Sequence, residues 1–125
     1  MAASLTVREF VSESIPGMTT VGVPVLKAAG RLDASTVNVL EHALNRSLAK
    51  SARVIVIELA EVNYISSSGL RVLLTARRKI RERGGDLVLC ALSQNVRDVF
   101  DMVGFTALFI VTSSLDQAIQ TAAGM

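Results

Sequence analysis

Val54-Ile55-Val56-Ile57-Glu58-Leu59 is followed, after a polar interval, by Ser66-Ser67-Ser68-Gly69-Leu70-Arg71-Val72-Leu73-Leu74 and, past Gly84-Gly85, by Leu87-Val88-Leu89-Cys90-Ala91-Leu92. The two outer runs are short and, Glu58 apart, apolar on both faces, the pattern of strands covered on two sides. Between them Leu70, Leu73, Leu74 and Ile80 recur at helical spacing, so Ser67 to Arg83 is predicted as a helix that Gly84-Gly85 stops. Strand, helix and strand in that order make a βαβ unit, which sets the class as α/β with a mixed, mostly parallel β-sheet.

Upstream, Leu5 to Val11 alternates like a half-buried strand, Ile15-Pro16-Gly17 supplies turn chemistry, and Val21 to Leu32 returns as the second arm of an N-terminal hairpin. Pro24 marks an edge or an irregular place in that arm. Beyond Gly30, residues Val37, Leu40, Leu44 and Leu48 share one helical face, with Asp33 or Ser35 available as cap and an end near Lys50. Downstream, Asn95 to Val103 is predicted as a short helix closed by Gly104, with Met102 as core filler, and Ala107 to Val111 as a last strand. Ser114 and Gln117 then form a capping box for a terminal helix through Leu115, Ala118, Ile119 and Ala122. The order is β, β, α, β, α, β, α, β, α, with about four helices in a single domain spanning residues 1–125.

Half of the 125 residues are hydrophobic but only 4% are aromatic, so the interior is expected to be Val, Leu, Ile and Ala. The net charge of +2, from 13 Lys and Arg against 11 Asp and Glu, names no partner by itself. Arg8 and Glu9 interrupt the stretch where a signal peptide needs continuous apolar residues, and no apolar run is long enough to span a bilayer, so a cytoplasmic protein is expected. The one cysteine, Cys90, sits in an apolar strand and is expected to pack as a small hydrophobe.

Parallel strands joined by right-handed crossovers point the same way, so the loops that leave them open on one sheet edge. One such loop carries Arg31, Asp33 and Ser35, the other Asn63, Tyr64, Ser66, Ser67 and Ser68, which makes Asp33 and Ser67 expected neighbours. The serine triplet enters a helix, where free N–H groups and the positive end of the dipole favour an anion, and Arg71 follows Ser67 by one helical turn. A phosphate on Ser67 suits that position, and so does plain N-capping by serine; spacing leaves both open.

The segment Glu58 to Leu74, containing Asn63-Tyr64-Ile65-Ser66-Ser67-Ser68-Gly69-Leu70, closely resembles the signature of bacterial anti-sigma factor antagonists, the STAS domain family. Gly30-Arg31-Leu32-Asp33 is similar to that family's second motif, and Gly85-Asp86-Leu87-Val88-Leu89 with Val99-Phe100 and Gly104-Phe105 to its later half. The resemblance implies a protein that binds an anti-sigma factor which is also an ATP-using serine kinase, and that is reset by a PP2C-type phosphatase. It implies phosphorylation on the serine two before the glycine, Ser67, with Ser66 as the alternative, because Ser66 stands where an aspartate is frequent. Asp33 belongs to the same functional surface by that resemblance, and Arg31, Ser66, Ser68, Gly69 and Arg71 complete the expected partner-binding set.

Other chemistries lack their residues. His42 is the one histidine, on the polar side of the first helix, and Ile65 replaces the first glycine of a Gly-x-Ser-x-Gly elbow, so no catalytic set is expected. A lone His42 and a lone Cys90 make no metal cluster, and neither phosphate-binding glycine motif occurs, so no metal or other cofactor is expected. Arg71, Arg77, Arg78, Lys79, Arg81 and Arg83 make the second helix basic, but without interleaved aromatics this is read as a solvated face or a site for an acidic protein, with no direct nucleic-acid partner. The rival reading is a STAS scaffold in a signalling or transport complex, independent of phosphorylation.

Overall fold

The computed structural model describes residues 4–12 and 22–125. The turn assigned to Ile15-Pro16-Gly17 lies outside them. In chain order come β1 (Leu5–Val11), β2 (Pro24–Leu32), α1 (Val37–Ala49), β3 (Val54–Ile65), α2 (Ser67–Glu82), β4 (Asp86–Cys90), α3 (Gln94–Val103), α4 (Phe105–Leu108), β5 (Ile110–Thr112) and α5 (Leu115–Ala123). One five-stranded sheet runs in the order β1-β2-β3-β4-β5, with β1 antiparallel to β2 and every later pair parallel.

Alternation along the strands divides the interior into two cores. Leu26, Ala28 and Leu32 of β2, Ile55, Ile57 and Leu59 of β3, and Leu87 and Leu89 of β4 join Leu40, Leu44, Leu73, Ile80, Val96 and Phe100 from the helices on one face. The residues between them, Val25, Val56, Val88 and Cys90, meet Ala118 and Ala122 of α5 on the other. Because α5 covers only part of that second face, Thr6, Arg8, Arg31, Glu61 and Tyr64 remain exposed there. The interior is aliphatic apart from Phe100, Phe105 and Phe109, whose rings pack 5.2–6.1 Å apart beside α3 and α4.

Several local expectations are corrected. β3 does not stop at Leu59 but continues to Ile65, since its last residues pair with β2 as far as Leu32. The last strand is not Ala107 to Val111: Phe105–Leu108 turns once as α4, and the strand begins at Ile110, so the described residues hold five helices. Neither Asp33 nor Ser35 caps α1; Thr36 holds that position, without a side-chain bond to the helix. Met102 is 84% exposed and fills no core. Ser114 does cap α5 through the Gln117 N–H, but the Gln117 side chain reaches back to Ser113.

Candidate functional site

The site lies where β2 and β3 end together. Leu32 pairs with Ile65, and the Ser66 N–H donates to the Leu32 carbonyl at 2.9 Å, so Asp33 and Ser66 begin their loops side by side on one sheet edge. Two register shifts between β2 and β3, after Lys27 and after Gly30, bring Arg31 opposite Tyr64. Gly30 makes the second possible: its φ is +121°, and a Cβ there would lie 2.2 Å from the Ser4 carbonyl oxygen.

The loop after β2 is closed by its own side chains. The buried Thr36 hydroxyl donates to the Arg31 carbonyl at 2.6 Å and accepts from the Asp33 N–H at 3.0 Å. Asp33 Oδ1 accepts from the Ser35 hydroxyl at 2.7 Å and the Ser35 N–H at 3.0 Å, and Oδ2 lies 3.6 Å from Arg31 Nε. The Ser35 hydroxyl chiefly, with the Ser35 N–H, Thr36 and Arg31 adding to it against a smaller desolvation effect, holds the Asp33 carboxyl below its ordinary value. Arg31 in turn lies over the Tyr64 ring, 4.1 Å from its centroid, and both side chains are exposed.

The serine loop is built differently. Ser66 is extended, at φ −96° and ψ 174°, and its hydroxyl accepts from the Gly69 N–H at 3.4 Å, so Ser66 is the N-cap of α2. Ser67 is the first residue of the helix and is exposed, and among the described residues no hydrogen bond engages its hydroxyl. Ser68 is half-buried. Gly69 is buried, and a Cβ on it would come within 2.8 Å of Leu32 Cγ and 2.9 Å of Ile65 Cγ1. Its role is close packing of α2 on the two strand ends, and no partner could touch a side chain there. Arg71 is exposed on the same helix.

The rest of the basic run on α2 is partly structural. Arg81 pairs with the buried Asp86 at 2.9 Å, Arg83 donates to the Leu48 carbonyl at 2.7 Å, and Arg77 sits 5.8 Å from the centre of the Phe109 ring. His42 is exposed on α1. Cys90 is buried, and desolvation, with Glu58 adding to it, pushes its thiol up to about 12. Among the described residues no group of His, Cys, Asp or Glu could hold a metal ion, and no helix is long and apolar enough to cross a membrane.

Sequence reasoning missed Thr36, which organises the Asp33 loop, and the anchoring of α3 beside the site: the Ser93 hydroxyl donates to the Val62 carbonyl at 2.6 Å and Asn95 to the Asn63 carbonyl at 3.3 Å. Ser93 also caps α3, and a cap signal before Val96 was its one legible trace.

A mixed sheet packed against helices, with a fixed carboxylate and an exposed serine hydroxyl at the ends of neighbouring strands, defines a class of small α/β protein with a polar site at one sheet edge. The chain belongs to the STAS domain family, whose pattern matches residues 15–118. It is 36% identical over 97 residues to BtrV, a candidate anti-sigma factor antagonist of Bordetella bronchiseptica, an alignment covering 78% of this chain and 84% of BtrV. Identity is also 36%, over 78 residues, with the anti-sigma-B factor antagonist of Listeria monocytogenes, covering 62% of this chain and 68% of that one. The crystal structure of an anti-sigma factor antagonist from Mycobacterium paratuberculosis matches with a TM-score of 0.75 at 26% identity, over 94% of each chain.

Proposed function

We propose that this chain is an anti-sigma factor antagonist: it binds a serine-kinase anti-sigma factor, thereby regulates transcription, and is released when that kinase transfers phosphate from ATP to Ser67. A PP2C-type phosphatase resets it, and the chain itself catalyses no step. The names of its relatives support the general role. The observation that carries the choice of serine is the contrast at the start of α2, where Ser66 is spent on the cap while the Ser67 hydroxyl is exposed and unengaged.

Charge accounts for release. A phosphoserine adds about −1.5 to −2 at neutral pH, and the first turn of α2 stabilises it within this chain. The same charge inside a desolvated contact facing the kinase costs ~3–4 kcal/mol of binding, several hundredfold at ~1.4 kcal/mol per tenfold. No refolding is needed. Asp33, fixed by Ser35, Thr36 and Arg31, is the carboxylate of the docking edge, and Arg31, Ser66, Ser68 and Arg71 surround it; Gly69 acts only through packing.

Incubation with the kinase-type anti-sigma factor of the source cell and ATP, followed by mass spectrometry, is expected to find phosphate on Ser67, with none added to Ser67→Ala. Affinity for that kinase should survive Ser67→Ala and fall in Ser67→Asp. Equal binding by both variants would favour a scaffold indifferent to phosphorylation, a reading that the serine at position 66, in place of a carboxylate, favours.

A further inference from the structure

The two lateral edges of the sheet are unlike. β5 is three residues long, a length that resists pairing with another strand, whereas β1 is seven residues in unbroken register with β2, without proline or bulge. The Ser4 carbonyl accepts from the Arg31 N–H at 3.2 Å, and the Ser12 N–H donates to the Val23 carbonyl at 2.9 Å. Antiparallel alternation between these two bonds turns the backbone groups of Thr6, Arg8 and Phe10 toward β2 and those of Leu5, Val7, Glu9 and Val11 outward. Among the described residues nothing pairs with that outward row.

We propose that β1 pairs antiparallel with β1 of a second copy of this chain, continuing the sheet across a two-fold axis at Val7. A second copy presents the same unpaired edge, and the sequence of the strand selects the register. An axis at Arg8 sets the two Arg8 side chains directly opposite each other, and an axis at Glu9 does the same to the two Glu9 carboxylates; like charges so placed are destabilising. An axis at Thr6 leaves Glu9 and Val11 without partners from the described strand. The axis at Val7 sets Val7 against Val7, Leu5 against Glu9 and Thr6 against Arg8, with the outward groups of Leu5, Val7 and Glu9 all paired and only those of Val11 without a partner from the described strand. Thr6 and Arg8 are exposed on the sheet face that α5 leaves open, so their cross-strand contact has room to form. The interface is isologous, as a closed dimer requires, and leaves the serine loop two strands away uncovered.

Sedimentation equilibrium of the full chain, up to about 1 mM, tests this. The mass is expected to rise from 13.3 kDa toward twice that value. Thr6→Glu, which faces Arg8 of the other copy twice per dimer, should tighten the dimer by about fivefold, and Thr6→Arg should weaken it by about as much. Glu9→Pro removes an outward donor while sparing the bonds to β2, and should abolish the dimer; its circular dichroism verifies that it folds, and the Thr6 pair decides the matter if it does not. A chain that stays at 13.3 kDa throughout, or two Thr6 variants that shift the equilibrium alike, would overturn the proposal.

Discussion

The loops that meet at the candidate site are opposites in construction. From Arg31 to Thr36 nearly every polar group is engaged: one buried hydroxyl ties two backbone positions, and Asp33 is held by Ser35, Thr36 and Arg31. From Ser66 to Gly69 the one side-chain hydrogen bond among the described residues is a long capping bond, and no described residue engages the hydroxyl next to it. The first loop holds a charge in a fixed place; the second leaves an oxygen available for change. A surface that must be recognised in one chemical state and rejected in another needs both, since a modification is legible only against a neighbour that does not move.

Four comparisons test that contrast. The largest effect is expected where the serine loop rests on the strand ends: Gly69→Val thrusts a side chain against Leu32 and Ile65, which are buried, and should cost about 3 kcal/mol in denaturant unfolding. Next comes the fixed loop, where Thr36→Val leaves the Arg31 carbonyl and Asp33 N–H without their partner at a cost of about 2 kcal/mol, while Thr36→Ser keeps both bonds and should lose less. Ser66→Ala should destabilise by about 1 kcal/mol through loss of the cap, against no more than about 0.5 kcal/mol for Ser67→Ala. Equal losses at the two serines would remove the distinction between them.

The smallest effect is on pH dependence. The Asp33 carboxyl has a lower value folded than unfolded, so its contribution to stability is complete above the ordinary carboxylate range and is lost as pH falls through the folded value. Acid unfolding of Asp33→Asn should therefore be shallower than that of the wild type over that acidic interval, and the two should run parallel above it. A wild-type curve no steeper there would mean that the Ser35 contacts do not hold the charge in solution.

The sheet, its connections and the serine loop were legible because they rest on signals that tertiary packing does not reverse: apolar runs for β2 to β4, and caps and glycines around α2. What escaped did so for physical reasons. The end of β3 carries Glu61, Asn63 and Tyr64, which read as loop because one sheet face there is open to water, yet its backbone pairs with β2 as far as Ile65. α4 is a single turn, too short for a helical period to register. Met102 has the hydropathy of a core residue, but helical spacing sets it off the buried face of Val96 and Phe100. Thr36 acts through two backbone groups, a role that hydropathy patterns do not encode. At the site, sequence brought Asp33 and the serines to one edge, but which hydroxyl is spoken for depends on local dihedral angles.

Tyr64 is the sole tyrosine of a chain without tryptophan, and it lies under Arg31, three residues from Ser67. Excited beyond the phenylalanine absorption band, this protein therefore emits from one ring at the candidate site. Displacement of the guanidinium, and with it the phosphoryl addition and kinase association proposed above, can be followed as a change in native tyrosine fluorescence with no dye attached.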